Sequence, residues 1–270
     1  MTRPAAASDA AAANPRLPRQ VHADRDAEGP LEVVDEGGLR TLYFGTPARQ
    51  STMFRHRPWA LALAYTHCMV LPLVWVPRLH RALLLGLGGG SLAKFLLRAA
   101  PAARLEAVER RARVIDVARQ WFALPDDPRL QVRLALAEDV VQAGGAPVEV
   151  LWVDLHDADG MAAVVSRPQF VAACRARLAP SGVLAINLWA GTRADLLART
   201  EDSLSAAFAG HVLHIPVAGK ANTVALAFNG PLPARGEAAA TRRAQTLHAD
   251  LGVPLPPLLD VLARHNPHWH

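Results

Sequence analysis

Between Arg81 and Gly230 short β-type apolar runs alternate with longer helical stretches, and this alternation restricts the possible folds more than any other feature. RALLLGLG reads as a strand entering a Gly-rich turn, and SLAKFLLRAAP as a helix stopped at Pro101. RLEAVE is a second strand, followed by RARVIDVARQWFAL with apolar residues at helical spacing. RLQVRLAL and PVEVLWVDL are a third and a fourth strand, and RPQFVAACRARLAP is a helix closed by Pro180-Ser181-Gly182. GVLAINLW is a fifth strand; a helix about Arg193 to Ala209 and the pair HVLHIPV and NTVALAFNG complete the series. Such a series predicts an α/β domain with a mostly parallel sheet, whose ligands sit beyond the carboxyl ends of its strands.

The flanks read differently. Residues 1–30 are rich in Ala, Pro and mixed charge with hardly any large apolar side chain, so a disordered leader is expected. LEVVDEGGLRTLYFG predicts a small β-hairpin around Glu36-Gly37-Gly38, in a region spanning 31–57. The main domain is expected over 58–230 and a helical tail, joined around Pro254-Leu255-Pro256-Pro257, over 231–270. Pro58 to Pro77 runs 20 residues without Asp, Glu, Lys or Arg. Pro72 within it, the trio Tyr65, Thr66 and His67, and the lack of a second such run favour a buried helix and a short link over a membrane span.

Composition narrows the classes. A chain of 270 residues, 51% hydrophobic, can bury a sizeable core, which excludes a disulfide-stapled miniprotein and a wholly disordered chain. Cys68 and Cys174 alone fit a reducing compartment, and a cytoplasmic protein is expected. The formal charge of +5 comes with a strong preference for Arg over Lys in an Ala-rich chain, a compositional bias, so no nucleic-acid partner is inferred. Six arginines between Arg98 and Arg119 read as the solvent face of two helices. The terminal His265, His268 and His270 are not taken as a metal site.

Two stretches carry chemistry. Gly86-Leu87-Gly88-Gly89-Gly90-Ser91 leads from the first strand straight into a helix, where glycines permit sharp turning and the helix start offers free amides. The next strand ends at Glu109, an acid placed to accept hydrogen bonds from both ribose hydroxyls of a nucleoside. The fourth strand delivers Asp154-Leu155-His156-Asp157, so one carboxylate emerges at the strand end and another three residues on. Such a pair can hold a cationic amine and take its proton. His156 between them reads equally as a second base or as a loop residue.

The order "QS", "Y", "GLGGGS", "VE", "DPRLQV", "VEVLWVDLHDADG", "LAPSGVLAINL" resembles the spermidine synthase family, the polyamine aminopropyltransferases, across about residues 31 to 230. The resemblance implies a Rossmann-like, S-adenosylmethionine-dependent methyltransferase fold with a mostly parallel seven-stranded sheet, preceded by a small N-terminal β-hairpin. It implies decarboxylated S-adenosylmethionine as co-substrate, bound by Gln50, Gly86, Gly88, Gly90, Ser91 and Glu109. It gives Asp154 the role of proton acceptor, Asp157 that of amine-binding acid and Tyr65 that of orienting the amine. A small-molecule amine is the implied partner, and a homodimer through the hairpin is the implied assembly.

Departures from the family pattern are local. Ser91 stands where the turn usually ends in Asp, and His67 stands where a Glu follows the tyrosine. Ala135 or Leu136 replaces the acid after the third strand, with Glu138 and Asp139 nearby, and no tyrosine occurs near Ile215-Pro216. These changes bear on a dicationic amine more than on a nucleoside. An S-adenosylmethionine-dependent methyltransferase and a non-catalytic nucleoside-binding relative are the alternative readings.

Overall fold

A computed structural model describes residues 17–157, 160–189 and 194–270. The first five strands are β1 (Arg19–Asp26), β2 (Gly29–Glu36), β3 (Leu39–Tyr43), β4 (Arg49–Phe54) and β5 (Arg57–Leu61). They form one antiparallel sheet in sequence order. The expected leader therefore ends earlier than residue 30, and the small hairpin is a five-stranded sheet that also takes residues 58–61 from the main domain. Its first strand escapes a hydrophobicity reading because β1 is an edge strand whose acids are matched by arginines elsewhere, as described below. Residues 1–16 lie outside the described positions.

The charge-free run from Pro58 divides between the end of β5 and two short helices, α1 (Ala64–Met69) and α2 (Pro72–Trp75). Pro72 opens the second of these, where its missing N–H costs nothing. Among the described residues no helix is long and apolar enough to cross a membrane.

The alternating region then follows in order: β6 (Arg81–Leu85), α3 (Ser91–Ala99), β7 (Arg104–Glu109), α4 (Ala112–Trp121), β8 (Leu130–Leu134), α5 (Ala137–Gln142) and β9 (Val148–Val153). The two-residue strands β10 (His156–Asp157) and β11 (Gly160–Met161) pair with each other. A short 3-10 turn (Ala163–Ser166), α6 (Pro168–Ala176), β12 (Leu178–Leu188), α7 (Ala194–Ala207), β13 (Val212–Pro216) and β14 (Thr223–Phe228) complete the domain. The seven-stranded sheet has the order β13-β14-β12-β9-β6-β7-β8, with β12, β9, β6, β7 and β8 parallel and β14 antiparallel to both neighbours. Only α5 was not anticipated among its helices; six residues give too short a stretch for a helical period to show.

Strand periodicity decides the two faces. On β6, Ala82 and Leu84 enter one core while Leu83 and Leu85 enter the other; on β9, Val150 and Trp152 oppose Leu151 and Val153 in the same way. The second core is covered by α5, α6 and α7. The first is covered by α1, α2, α3 and two further helices, α8 (Ala238–Leu251) and α9 (Leu255–His265), which make up the tail. Trp152 is fully buried and donates its indole N–H to the Met69 carbonyl at 2.6 Å, tying α1 to the sheet. A third core joins Leu31, Val33, Leu42 and Met53 of the N-terminal sheet to Val114, Val117 and Phe122 on and just after α4. Beyond α9, the Asn266 side chain accepts from the His214 N–H at 2.9 Å and donates to the His214 carbonyl at 2.7 Å, on the outer edge of β13.

Candidate active site

The carboxyl ends of β7, β6 and β9 are stitched together at the Gly-rich turn. Gly86 N–H donates to Val108 O at 2.9 Å, and Asp154 N–H donates to Leu85 O at 2.9 Å. Gly86 adopts φ +94°, and a Cβ built there would lie 2.2 Å from the Asp154 carbonyl oxygen. Only glycine permits both the left-handed backbone and that approach. Gly90, at φ +70°, caps α3 with no side chain and leaves the helix amides free. Gly88 lies between them beside β4, where a Cβ would stand 3.9 Å from the Gln50 carbonyl.

Glu109 faces this turn from the end of β7. Its carboxylate accepts from Leu87 N–H at 3.2 Å and from Arg111 N–H at 3.0 Å. Burial pushes its pKa above the ordinary 4.5, against the pull of those amides. Gln50 is half-buried on β4. Ser91 is engaged with the same strand: its hydroxyl lies 3.2 Å from that of Ser51 and donates to Thr52 O at 3.4 Å. The serine that replaces the usual acid thus joins the turn to the N-terminal sheet.

Asp154 collects the polar groups on the neighbouring side. Tyr65 donates its hydroxyl to Oδ2 at 2.9 Å, and Asn187 Nδ2 donates to Oδ1 at 3.0 Å. His156 Nδ1 lies 3.2 Å from the same Oδ1, with its ring tilted against Trp189. Asn187 is itself fixed by Asn222, whose Nδ2 donates to Asn187 Oδ1 at 3.0 Å. Burial pushes the Asp154 carboxyl up, but His156, Asn187 and Tyr65 together outweigh it and hold the group below 3.8. Burial, then the Asp154 charge, pushes the Tyr65 phenol well above 10.0. Near neutral pH the pair is therefore an anion and a neutral donor.

Of the residues singled out from sequence, Asp154, Tyr65 and His156 come together, as do Glu109, Gly86, Gly88 and Gly90. Asp157 closes β10, but its side chain lies outside the described positions. His67 takes no part in the Asp154 group: its Nε2 donates to Leu61 O at 3.1 Å, and burial lowers its pKa below 6.5. Of the two positions read as replacing the family's acid, Ala135 is half-buried against the second core and Leu136 is 45% exposed just before α5, whose first turn carries Glu138 and Asp139. Asn187 and Asn222 were not singled out. The former had a signal: it is the polar residue in the apolar run Val183–Leu188, and pairing of Ile186 with Val153 puts it level with Asp154. Among the described residues no group of three or more His, Cys, Asp or Glu is arranged to hold a metal ion.

Two half-sites thus adjoin at the sheet's carboxyl edge: a glycine turn faced by the buried Glu109 carboxylate, and the Asp154 carboxylate braced by three donors. Comparison with protein-family models finds none that matches. The chain is 29% identical over 236 residues to a polyamine aminopropyltransferase of Chromobacterium violaceum, covering 87% of this chain and 90% of that protein. It is 27% identical over 244 residues to one of Neisseria meningitidis, covering 88% and 92%. A shorter match, 35% identical over 118 residues, covers 39% of this chain and 17% of an eEF1A lysine and N-terminal methyltransferase of Danio rerio. Among solved structures, a probable spermidine synthase from Corynebacterium glutamicum superposes with TM-score 0.71 at 18% identity, covering 86% of this chain and 88% of that one. A spermidine synthase in complex with the transition state analogue AdoDATO gives 0.69 at 15%, covering 90% and 83%. Human methyltransferase-like protein 13 in complex with SAH gives 0.60 at 23%, covering 71% and 93%. The chain is similar in sequence to polyamine aminopropyltransferases over most of its length and is built on the fold of the spermidine synthases.

Proposed function

We propose that the protein is a transferase that moves an aminopropyl group from decarboxylated S-adenosylmethionine to a small amine of the polyamine class, such as putrescine. The glycine turn and Glu109 receive the donor nucleoside, with Gln50 facing it from β4. Asp154 meets the attacking amine, and Asp157 anchors it. The amine lone pair attacks the propyl carbon next to the sulfonium, the C–S bond breaks, and methylthioadenosine leaves with the electron pair. The proton released from the new ammonium passes to Asp154. Because a sulfonium is a good leaving group, positioning and deprotonation are the main demands on the protein.

The observation that supports this reading best is the Asp154 carboxylate, braced by Tyr65, Asn187 and His156 and stitched through Gly86 to the nucleoside turn. Bracing keeps the anion in one orientation, so that its remaining lone pair is available to a substrate N–H. The test is release of methylthioadenosine on mixing the protein with decarboxylated S-adenosylmethionine and putrescine. No release with any of a panel of linear amines refutes aminopropyl transfer. A second reading, methyl transfer from S-adenosylmethionine, draws on the segment shared with the eEF1A methyltransferases. Production of S-adenosylhomocysteine in place of methylthioadenosine would select it.

A further inference from the structure

Three arginines after Glu109 meet three acids of the N-terminal sheet. Arg110 pairs with Glu28 at 2.6 Å, Arg111 with Asp26 at 2.8 Å and Arg113 with Asp24 at 3.5 Å. The middle pair differs from its neighbours in burial and in number of contacts. Arg111 is only 6% exposed, its Nε and Nη2 both reach the Asp26 carboxylate at 2.9 and 2.8 Å, and Nη2 also donates to Gly29 O at 3.1 Å. The guanidinium lies over Phe44, 4.5 Å from the ring centre. Such a bidentate, stacked pair fixes orientation as well as charge.

Its backbone is what matters for the site. Arg111 N–H donates to one Glu109 oxygen, and the Arg111 carbonyl accepts from Val114 N–H at 3.0 Å as α4 begins. The opposite end of α4 is gripped by the same sheet, since Arg40, bidentate to Asp35, donates to Trp121 O at 2.8 Å. Between the ends, Val114 and Val117 pack on Leu31, Val33 and Leu42. The N-terminal sheet therefore holds the whole segment from Glu109 to the end of α4.

We propose that the Asp26–Arg111 pair is a positioning device for the donor nucleoside, by which the N-terminal sheet sets the Glu109 carboxylate toward its ligand. This rests on the nucleoside reading of Glu109. Arg111 touches no reacting atom; it acts through its own amide. The test is calorimetric titration with methylthioadenosine, together with donor KM and kcat, for Arg111→Met, Asp26→Asn and Arg113→Ala. Arg111→Met and Asp26→Asn are expected to weaken binding about tenfold, the factor for losing one charge-assisted hydrogen bond. Donor KM rises in parallel while kcat at saturating donor stays within about twofold. Arg113→Ala, which removes an exposed ion pair of the same row, leaves binding unchanged. Wild-type affinity in both Arg111→Met and Asp26→Asn overturns the inference, as does equal weakening in Arg113→Ala. If Arg111→Met does not fold, Asp26→Asn decides alone on the same criterion. Failure of the wild type to bind methylthioadenosine instead overturns the functional reading, and this inference with it.

Discussion

Replacing Gly86 by Ala tests whether the glycine turn and the Asp154 carboxylate are mechanically one unit. The added methyl would lie 2.2 Å from the Asp154 carbonyl oxygen. An ordinary carbon–oxygen contact is about 3.3 Å, so one side must retreat by about 1 Å. Retreat of the carbonyl strains the Asp154 N–H bond to Leu85 O and carries the braced carboxylate with it. The backbone at φ +94° adds its own penalty of about 1–2 kcal/mol, and overpacking adds about 1–3 kcal/mol. The expected loss of stability is about 2–5 kcal/mol, lowering Tm by about 5–15 °C for a domain of this size. A 1 Å displacement of the reacting groups predicts a fall in turnover of about a hundredfold. Differential scanning fluorimetry reads the first effect; initial rates of methylthioadenosine release, well below the variant's Tm, read the second. Gly144→Ala is the control, since Gly144 has φ +71° with nothing within 4 Å of a built Cβ. It should show the backbone penalty without loss of turnover. If Gly86→Ala behaves like Gly144→Ala in both assays, the coupling of turn and carboxylate is wrong.

Asp154→Asn should leave methylthioadenosine binding nearly intact while lowering turnover by about a factor of 10² to 10⁴, the usual contribution of a positioned base; unchanged turnover removes Asp154 from that role. Because its folded pKa is depressed, the carboxylate adds stability above pH 3.8 that is lost as pH falls through the lower folded value. The stability difference between wild type and Asp154→Asn should therefore shrink on acidification. Tyr65→Phe deletes a 2.9 Å donor to that carboxylate, so the acidic limb of the rate profile should move to higher pH; an unmoved limb contradicts the bracing. Lys94, 5% exposed, bonds the Phe122 carbonyl and has no acid partner among the described residues, and burial brings its pKa down to about 7 from 10.5. Between those values the unfolded chain binds the extra proton, so this group makes stability rise with pH from about 7 upward, a rise that chemical denaturation should find missing in Lys94→Met.

How much of this was legible depends on where each residue's partners lie in the chain. The parallel strands announced themselves because β6 and β9 are buried on both faces, which demands continuous apolar runs. Glu109 and Asp154 were readable because each ends such a run, and strand ends in this architecture are where ligands bind. β1 was misread because its acids looked like the mark of disorder, whereas Asp24 and Asp26 are satisfied by arginines more than 80 residues away. The same pairing explains why part of the arginine-rich segment is not a solvent face: Arg111 is buried. The contacts of Ser91 with Ser51 and Thr52 were not legible, because the partner strand β4 is invisible from the turn's own sequence. Asn222 lies in a polar loop with no local mark of its role, which arises only through Asn187.

The amide of Asn266, with one bond received and one given on His214, presents to β13 what an adjoining strand residue would present. Its consequence is for how the molecule meets its neighbours in a crowded solution. A terminal strand of a sheet is a template for any extended chain with free amides, and proteins must blunt it. Here a single 1%-exposed side chain occupies that hydrogen-bonding place. Asn266→Leu would keep the residue's bulk yet uncover the His214 amide and carbonyl together, turning a sealed margin into an adhesive one. Concentration-dependent association on storage, more than loss of the fold, is the form that damage should take, with light scattering to follow it.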